Sequence, residues 1–318
     1  MGLKAFFARL GRVLALTENL LREATGTGAD ARSFERHHAF RWDAERGPGR
    51  LVPIEAPEIF ALDDLVGVDA PVARFIANIE QFVRGLPSNN VLLYGERGTG
   101  KSSAVRGVLE RYGPRGLRLV EVQRESLVHL PRILAALRRD ATQHRFLIFC
   151  DDLSFGAGEA GYRELKAALE GSLEAPPDNV CIVATSNRRH LLPESMADNR
   201  NARLDERGEL QLGEALEERL ALSDRFGLVI GFYGFDQSTY LAIVQHYLRR
   251  AGFLRQAGFD APGCQEARSA GAEGSSDVPD ALRAEALRWA LARASRSGRT
   301  ARQFVDDYVG RARLRSAK

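Results

Sequence analysis

A chain of 318 residues has room for a core domain and a smaller appendage. Its 44% apolar and 27% charged residues are ordinary globular composition, and a net charge of +3 is too small to argue by itself for nucleic acid. Three cysteines, Cys150, Cys181 and Cys264, form no CxxC or framework spacing, which argues against disulfides and zinc and points to a reducing, cytoplasmic setting. No apolar run approaches the length of a membrane span, so no transmembrane segment is expected.

Residues 1 to about 25 interleave Lys4, Arg9 and Arg12 with Leu3, Phe6, Phe7, Leu10 and Leu14. That spacing predicts an amphipathic helix with a basic face, packed on the body or on a neighbouring subunit. A membrane-surface helix or a transit segment is the alternative reading; the apolar stretch is too interrupted for a signal peptide. ATGTGAD ends the helix, and residues 30 to 60, with GPGR and several prolines, read as an irregular linker. An N-terminal helix and linker thus occupy 1–60.

From Ala61 the texture changes. A short turn precedes a helix carrying Val72, Phe75, Ile76, Ile79 and Phe82 at three- and four-residue spacing. Strands are predicted at Val91–Tyr94, Leu119–Val122, Phe146–Cys150, Val180–Thr185 and Leu228–Phe232. Helices are predicted over Ser102–Tyr112, Leu127–Arg139 and Gly161–Glu170. The strands are near-continuously apolar, which implies a parallel sheet covered on both faces and a three-layer α/β sandwich over 61–234. After Phe235 only helical patterns follow, at Thr239–Gly252, Ala281–Ser295 and Thr300–Ala312, as in a small all-helical lid over 235–318. The Gly-, Ala- and Ser-rich PGCQEARSAGAEGSSD is expected to be a mobile insertion in that lid, near 258–279.

The strongest chemical signal is Gly95, Glu96, Arg97, Gly98, Thr99, Gly100, Lys101 and Ser102, followed by Ser103, directly after the strand VLLY and opening a helix. This is GxxxxGK[ST] in the context that gives it meaning: glycines let successive N–H groups face a phosphate at a helix N-terminus. Lys101 then reaches the β- and γ-phosphates and Ser102 ligates Mg²⁺. FLIFCDD ends a buried strand in Asp151 and Asp152. Asp151 is placed to meet Mg²⁺, while Asp152 either orients the attacking water or caps the following turn. VCIVATSNRR puts Asn187 just past a strand end, where it serves as a turn residue or holds water or phosphate. ERLALSDRFGL carries Arg219 and Arg225 before the last strand, and SGRTARQF carries Arg299 and Arg302, whose guanidinium forks suit phosphate oxygens. From Leu282 onward ten Lys/Arg face three Asp/Glu, a minority signal for DNA or RNA without any helix-turn-helix or finger.

As an ordered set these motifs resemble the AAA+ superfamily. The resemblance implies ATP with Mg²⁺, a five-stranded parallel sheet in the order 5-1-4-3-2, and a DLVG segment, Asp64 to Gly67, that packs Val66 and Gly67 on adenine. It also implies Asn187 as sensor 1 and Arg225 as an arginine finger acting in trans within a homo-oligomer. Arg302 is implied as sensor 2, with Arg299 as its rival. Over about residues 50 to 315, FCDDLSF, YRELKAALEGSL, TSNRRHL, LSDRFGL and FYGFDQSTYLAIV are similar to a bacterial family of AAA+ ATP-binding proteins of unknown function. The paired aspartates are also similar to replication initiators and helicase loaders, which implies slow hydrolysis. The expected activity is an ATPase remodelling a protein client; a nucleotide-dependent switch on a protein or nucleic-acid partner is the alternative.

Overall fold

Each central strand is apolar on both of its faces, and the packing shows why. In the computed structural model, residues 31–44, 49–139, 144–155, 160–170, 177–188, 203–204, 210–211, 223–254 and 279–316 are described. The expected N-terminal helix, Arg219, Cys264 and nearly all of the insertion near 258–279 lie outside them. Strands β3 (Val91–Gly95), β4 (Leu117–Glu121), β5 (Arg145–Cys150), β6 (Val180–Ser186) and β9 (Leu228–Phe232) pair in parallel as β9-β3-β6-β5-β4. Numbered in chain order among themselves, these five strands have the expected order 5-1-4-3-2. A two-residue antiparallel pair, β7 (Arg203–Leu204) with β8 (Leu210–Gln211), stands apart from that sheet.

Two cores flank the sheet. On one face Val91, Leu93, Leu147, Phe149 and Val183 meet α2 (Asp69–Val83) and α3 (Lys101–Tyr112) through Phe75, Ile79, Val105 and Val108. On the other, Leu92, Phe146, Ile148, Ile182 and Ala184 meet α4 (Leu130–Arg139) and α5 (Ala160–Glu170) through Ile133, Leu137, Tyr162 and Leu165. Alternate residues of one strand therefore enter different cores, and a strand between two cores cannot show polar alternation. Burial pushes the Cys150 and Cys181 thiols up to about 12, as expected of protonated thiols among apolar side chains.

The linker expected across residues 30–60 is corrected here, and with it the five-strand count. Helix α1 (Ala31–Arg36) leads into β1 (Ala39–Asp43), which pairs in parallel with β4. Then β2 (Arg50–Pro53) returns antiparallel to β1 at the edge, giving a seven-stranded sheet ordered β2-β1-β4-β5-β6-β3-β9. Phe40, Trp42 and Leu51 are buried in the α4/α5 core while Arg41 and Arg50 face outward. β2 is the edge strand and β1 lies next to it, and both are too short for their pattern to stand out beside the GPGR turn.

The addition is fastened by Arg118 of β4, which is 5% exposed. Its Nε donates to the Phe34 carbonyl at 2.5 Å, and Nη1 donates to the Gly113 and Leu117 carbonyls, each at 2.8 Å. A buried guanidinium is tolerated where its N–H groups are satisfied.

The C-terminal helices α6 (Gln237–Arg250), α7 (Asp280–Ala292) and α8 (Gly298–Ser316) share a third core, with Tyr240, Val244, Ala286 and Phe304 at its centre. Val66 and Phe235 pack against that core from the sheet domain. Asp236 caps α6, its Oδ1 accepting the Thr239 N–H at 2.7 Å.

The Arg118 and Gly95 contacts can each be tested by unfolding. Arg118→Met leaves the Phe34 and Gly113 carbonyls without that donor, and urea unfolding is expected to show a loss of about 2–4 kcal/mol. At Gly95, φ is 133° and an added Cβ would strike the backbone of Phe232, its partner in β9. Gly95→Ala is therefore expected to cost about 2–4 kcal/mol in the same assay.

Candidate functional site

Parallel strands end together, and the loops leaving their C-terminal ends meet over one edge of the sheet. There a cleft of about 690 Å³ opens between the sheet domain and the helical lid. Its floor is the turn from β3 to α3. Glycine is needed at Gly100, where φ is 102° and a Cβ would press on Leu65. Thr99 braces the turn by donating to the Glu96 carbonyl at 2.8 Å.

Lys101 is 7% exposed, and its Nζ donates to the carbonyls of Gly95 and Glu96, both at 2.7 Å, and to Asn187 Oδ1 at 3.4 Å. Burial pulls its pKa below the usual lysine value. Asp152 and Asp151 oppose that shift, whereas Arg97 and Arg299 add to it.

Facing the lysine is the end of β5. Ser102 Oγ donates to Asp151 Oδ1 at 2.6 Å, and Thr185 Oγ1 donates to the same oxygen at 2.6 Å. The Asp152 N–H donates to Thr185 Oγ1 at 2.8 Å, and the Leu153 N–H to the Thr185 carbonyl at 2.7 Å. Asp152 adopts φ 50°, a left-handed conformation rare outside glycine, and its Oδ1 accepts from Asn187 Nδ2. Ser186 Oγ closes the turn by donating to the Leu153 carbonyl at 2.8 Å.

The donor set suits a hard cation. Ser102 Oγ and Asp151 Oδ1 stand 2.6 Å apart, close to the roughly 3 Å between neighbouring ligands of an octahedral Mg²⁺. Such an ion bound by one hydroxyl and one carboxylate keeps water or phosphate oxygens in its remaining positions. Among the described residues no cluster of three or more His, Cys, Asp or Glu side chains forms a metal cage.

The lid forms the opposite wall. Gly298, Arg299 and Arg302 line the cleft at the start of α8, and the Gly298 N–H donates to the Gly98 carbonyl at 2.9 Å. Both arginines thus face the loop that carries Lys101. The remaining wall is mixed: Phe60, Leu65, Val66, Val68, Phe235, Ile243 and Tyr247 are apolar or aromatic, beside a Glu58–Arg106 ion pair. Asp64, nearly buried, accepts from His246 Nε2 at 2.8 Å on α6 and pairs with Arg250.

The structure brings Val66, Arg97, Gly98, Thr99, Gly100, Lys101, Ser102, Ser103, Asp151, Asp152, Asn187, Arg299 and Arg302 to this one cleft. Gly95 and Glu96 lie beneath the loop, where their carbonyls hold Lys101. Gly67 lies to the side: a Cβ there would meet Thr239 and Phe235. Arg225 is away from the cleft, in the turn that Phe226 anchors in the α4/α5 core. Sequence reasoning missed Asp64, Thr185, His246 and Arg250. Thr185 reads as one more β-branched strand residue, and the other three meet only when the lid folds onto the core.

The family described as "Protein of unknown function (DUF815)" matches residues 35–312. No functionally curated protein matches the chain. Among solved structures, a Thermotoga maritima RuvB described as a Holliday junction branch migration motor is 13% identical, with a TM-score of 0.45, over 77% of this chain and 63% of that one. A variant of the same RuvB is 15% identical over the same shares, also with a TM-score of 0.45. The Aeropyrum pernix ORC1 protein, solved in complex with DNA, is 18% identical with a TM-score of 0.49, over 83% of this chain and 63% of that one. The chain thus spans 63% of the length of each of these proteins. No described helix is long and apolar enough to cross a membrane.

Proposed function

The chain belongs to the DUF815 family, and from its AAA+ core and the cleft above that core we propose that it binds Mg²⁺-ATP and hydrolyses it slowly. The observation that carries the reading is the convergence of Lys101, Ser102, Asp151, Asp152 and Asn187 at the C-terminal edge of one parallel sheet. The N-terminus of α3 and the loop N–H groups cradle the phosphates, and Lys101 supplies the positive charge between β and γ. When bound, Mg²⁺ neutralises charge developing on the phosphate oxygens; Ser102 and Asp151 would hold it. Asp152 orients water toward the γ-phosphate, and Asn187 holds that carboxylate in line. Arg302, with Arg299 beside it, senses the phosphate from the lid. Val66 and the apolar wall take the adenine.

Arg225 acts in trans in this reading, completing the site of a neighbouring subunit in a homo-oligomer. Its place outside its own cleft supports that role. The work of the cycle is remodelling of a protein client in the cytoplasm. A second reading, a nucleotide-dependent switch with little turnover, is favoured by one observation. Asp152 is a methylene shorter than glutamate and its Oδ1 is already engaged by Asn187, which restrains its approach to water. The excess of arginine in α8 leaves nucleic acid as a lesser alternative partner.

Calorimetric titration of the chain with ATP and Mg²⁺ tests the binding, with Lys101→Ala as the control. That variant is expected to weaken ATP at least about tenfold, since it removes a charge-assisted contact; equal affinity would sink the assignment. Turnover per subunit is expected to rise with protein concentration in the wild type. Arg225→Ala should lower it by about a hundredfold or more and remove the concentration dependence. Unchanged turnover in that variant would rule out completion between subunits.

A further inference from the structure

Asp151 and Asp152 leave β5 at its C-terminal end, and what orients them comes from the neighbouring strand. We propose that Thr185 of β6 is the positioning residue for both carboxylates, a single hydroxyl setting the metal-side Asp151 and the water-side Asp152 together. The proposal rests on the Mg²⁺-ATP reading of this cleft.

A threonine hydroxyl has one proton and two lone pairs. At Thr185 the proton is given to Asp151 Oδ1 at 2.6 Å and a lone pair receives the Asp152 N–H at 2.8 Å. The residue is 1% exposed, so bulk water cannot take over either bond. Its carbonyl holds the next residue as well, through the Leu153 N–H at 2.7 Å. Together these bonds hold Asp152 at φ 50°, a conformation that a non-glycine residue keeps only when its surroundings impose it. From that backbone the Asp152 side chain reaches Asn187. The hydroxyl therefore specifies where both acids point, although it need not touch nucleotide.

Ser102 explains why the second donor matters. It too donates to Asp151 Oδ1, at 2.6 Å, but a hydroxyl that turns to ligate a cation gives up that bond. Thr185, which donates to the same oxygen from β6, keeps its bond and holds the carboxylate in register. Valine at this position has nearly the same shape and the same preference for a strand, so it removes the two bonds with little change in packing. Serine keeps the hydroxyl.

The experiment compares wild type, Thr185→Val and Thr185→Ser. In EDTA, ATP affinity of T185V is expected to match wild type within about twofold, because the phosphate loop is untouched. The Mg²⁺ concentration giving half of the full enhancement of ATP binding should rise about 10–100-fold, as for loss of an outer-shell partner. Turnover should fall by a similar factor in kcat with KM little changed, and T185S should restore both. Hydrogen exchange on nucleotide-free protein supplies an independent arm: amides of Asp152 and Leu153 should lose protection in T185V and regain it in T185S, while those of β3 stay as in wild type. A T185V protein with wild-type Mg²⁺ dependence and wild-type exchange would overturn the proposal. A wild type that fails to bind Mg²⁺-ATP would instead overturn the reading of the cleft.

Discussion

The pairing of β3 with both β6 and β9 fixes where the glycine loop leaves the sheet. Val91, Leu92 and Leu93 are wholly buried, and β3 is paired along both sides, so its backbone groups are satisfied only in this register. The chain must then rise from the sheet at Gly95, whose approach to Phe232 leaves no room for a side chain. The loop, the lysine and α3 inherit their position from that one constraint. Because β5 and β6 run parallel to β3, their ends deliver Asp151, Asp152, Thr185 and Asn187 to the same edge. Chemistry is concentrated there by topology before any side chain is chosen.

Charge in the cleft is arranged as a balance between burial and neighbours. Lys101 is held by two carbonyls instead of a carboxylate. The two aspartates are nearby but are held by hydroxyls and an amide. The geometry of each of these side chains is therefore fixed by neutral partners, which is a condition for electrostatic preorganisation.

Much of this was legible in the sequence because it is written in local runs. VLLY before GERGTGKS, FLIFC before two aspartates, and VCIVATS before asparagine each announce a buried strand with a polar end. The five central strands and their order followed from those runs and from the resemblance they support. The edge strands did not. Ala39–Asp43 is only five residues long and buries Ala39 and Phe40 side by side, and it becomes a strand because β4, nearly 80 residues later, offers it an edge. Arg118 was equally silent: an arginine within an apolar strand gives no sign of which carbonyls it will hold. The contacts of Asp64 with His246 and Arg250 join positions more than 180 residues apart, and no local pattern can report a contact made at that separation.

Polar bonds and the backbone join the lid to the rest of the chain at Gly98, at Asp64 and at the connection from β9 to α6. The Gly298 N–H is tied to the loop at Gly98, Asp64 is tied to α6, and the backbone runs continuously from β9 into α6. The helical domain is therefore held at more than its covalent joint, with Gly98 against the start of α8 and Asp64 against α6.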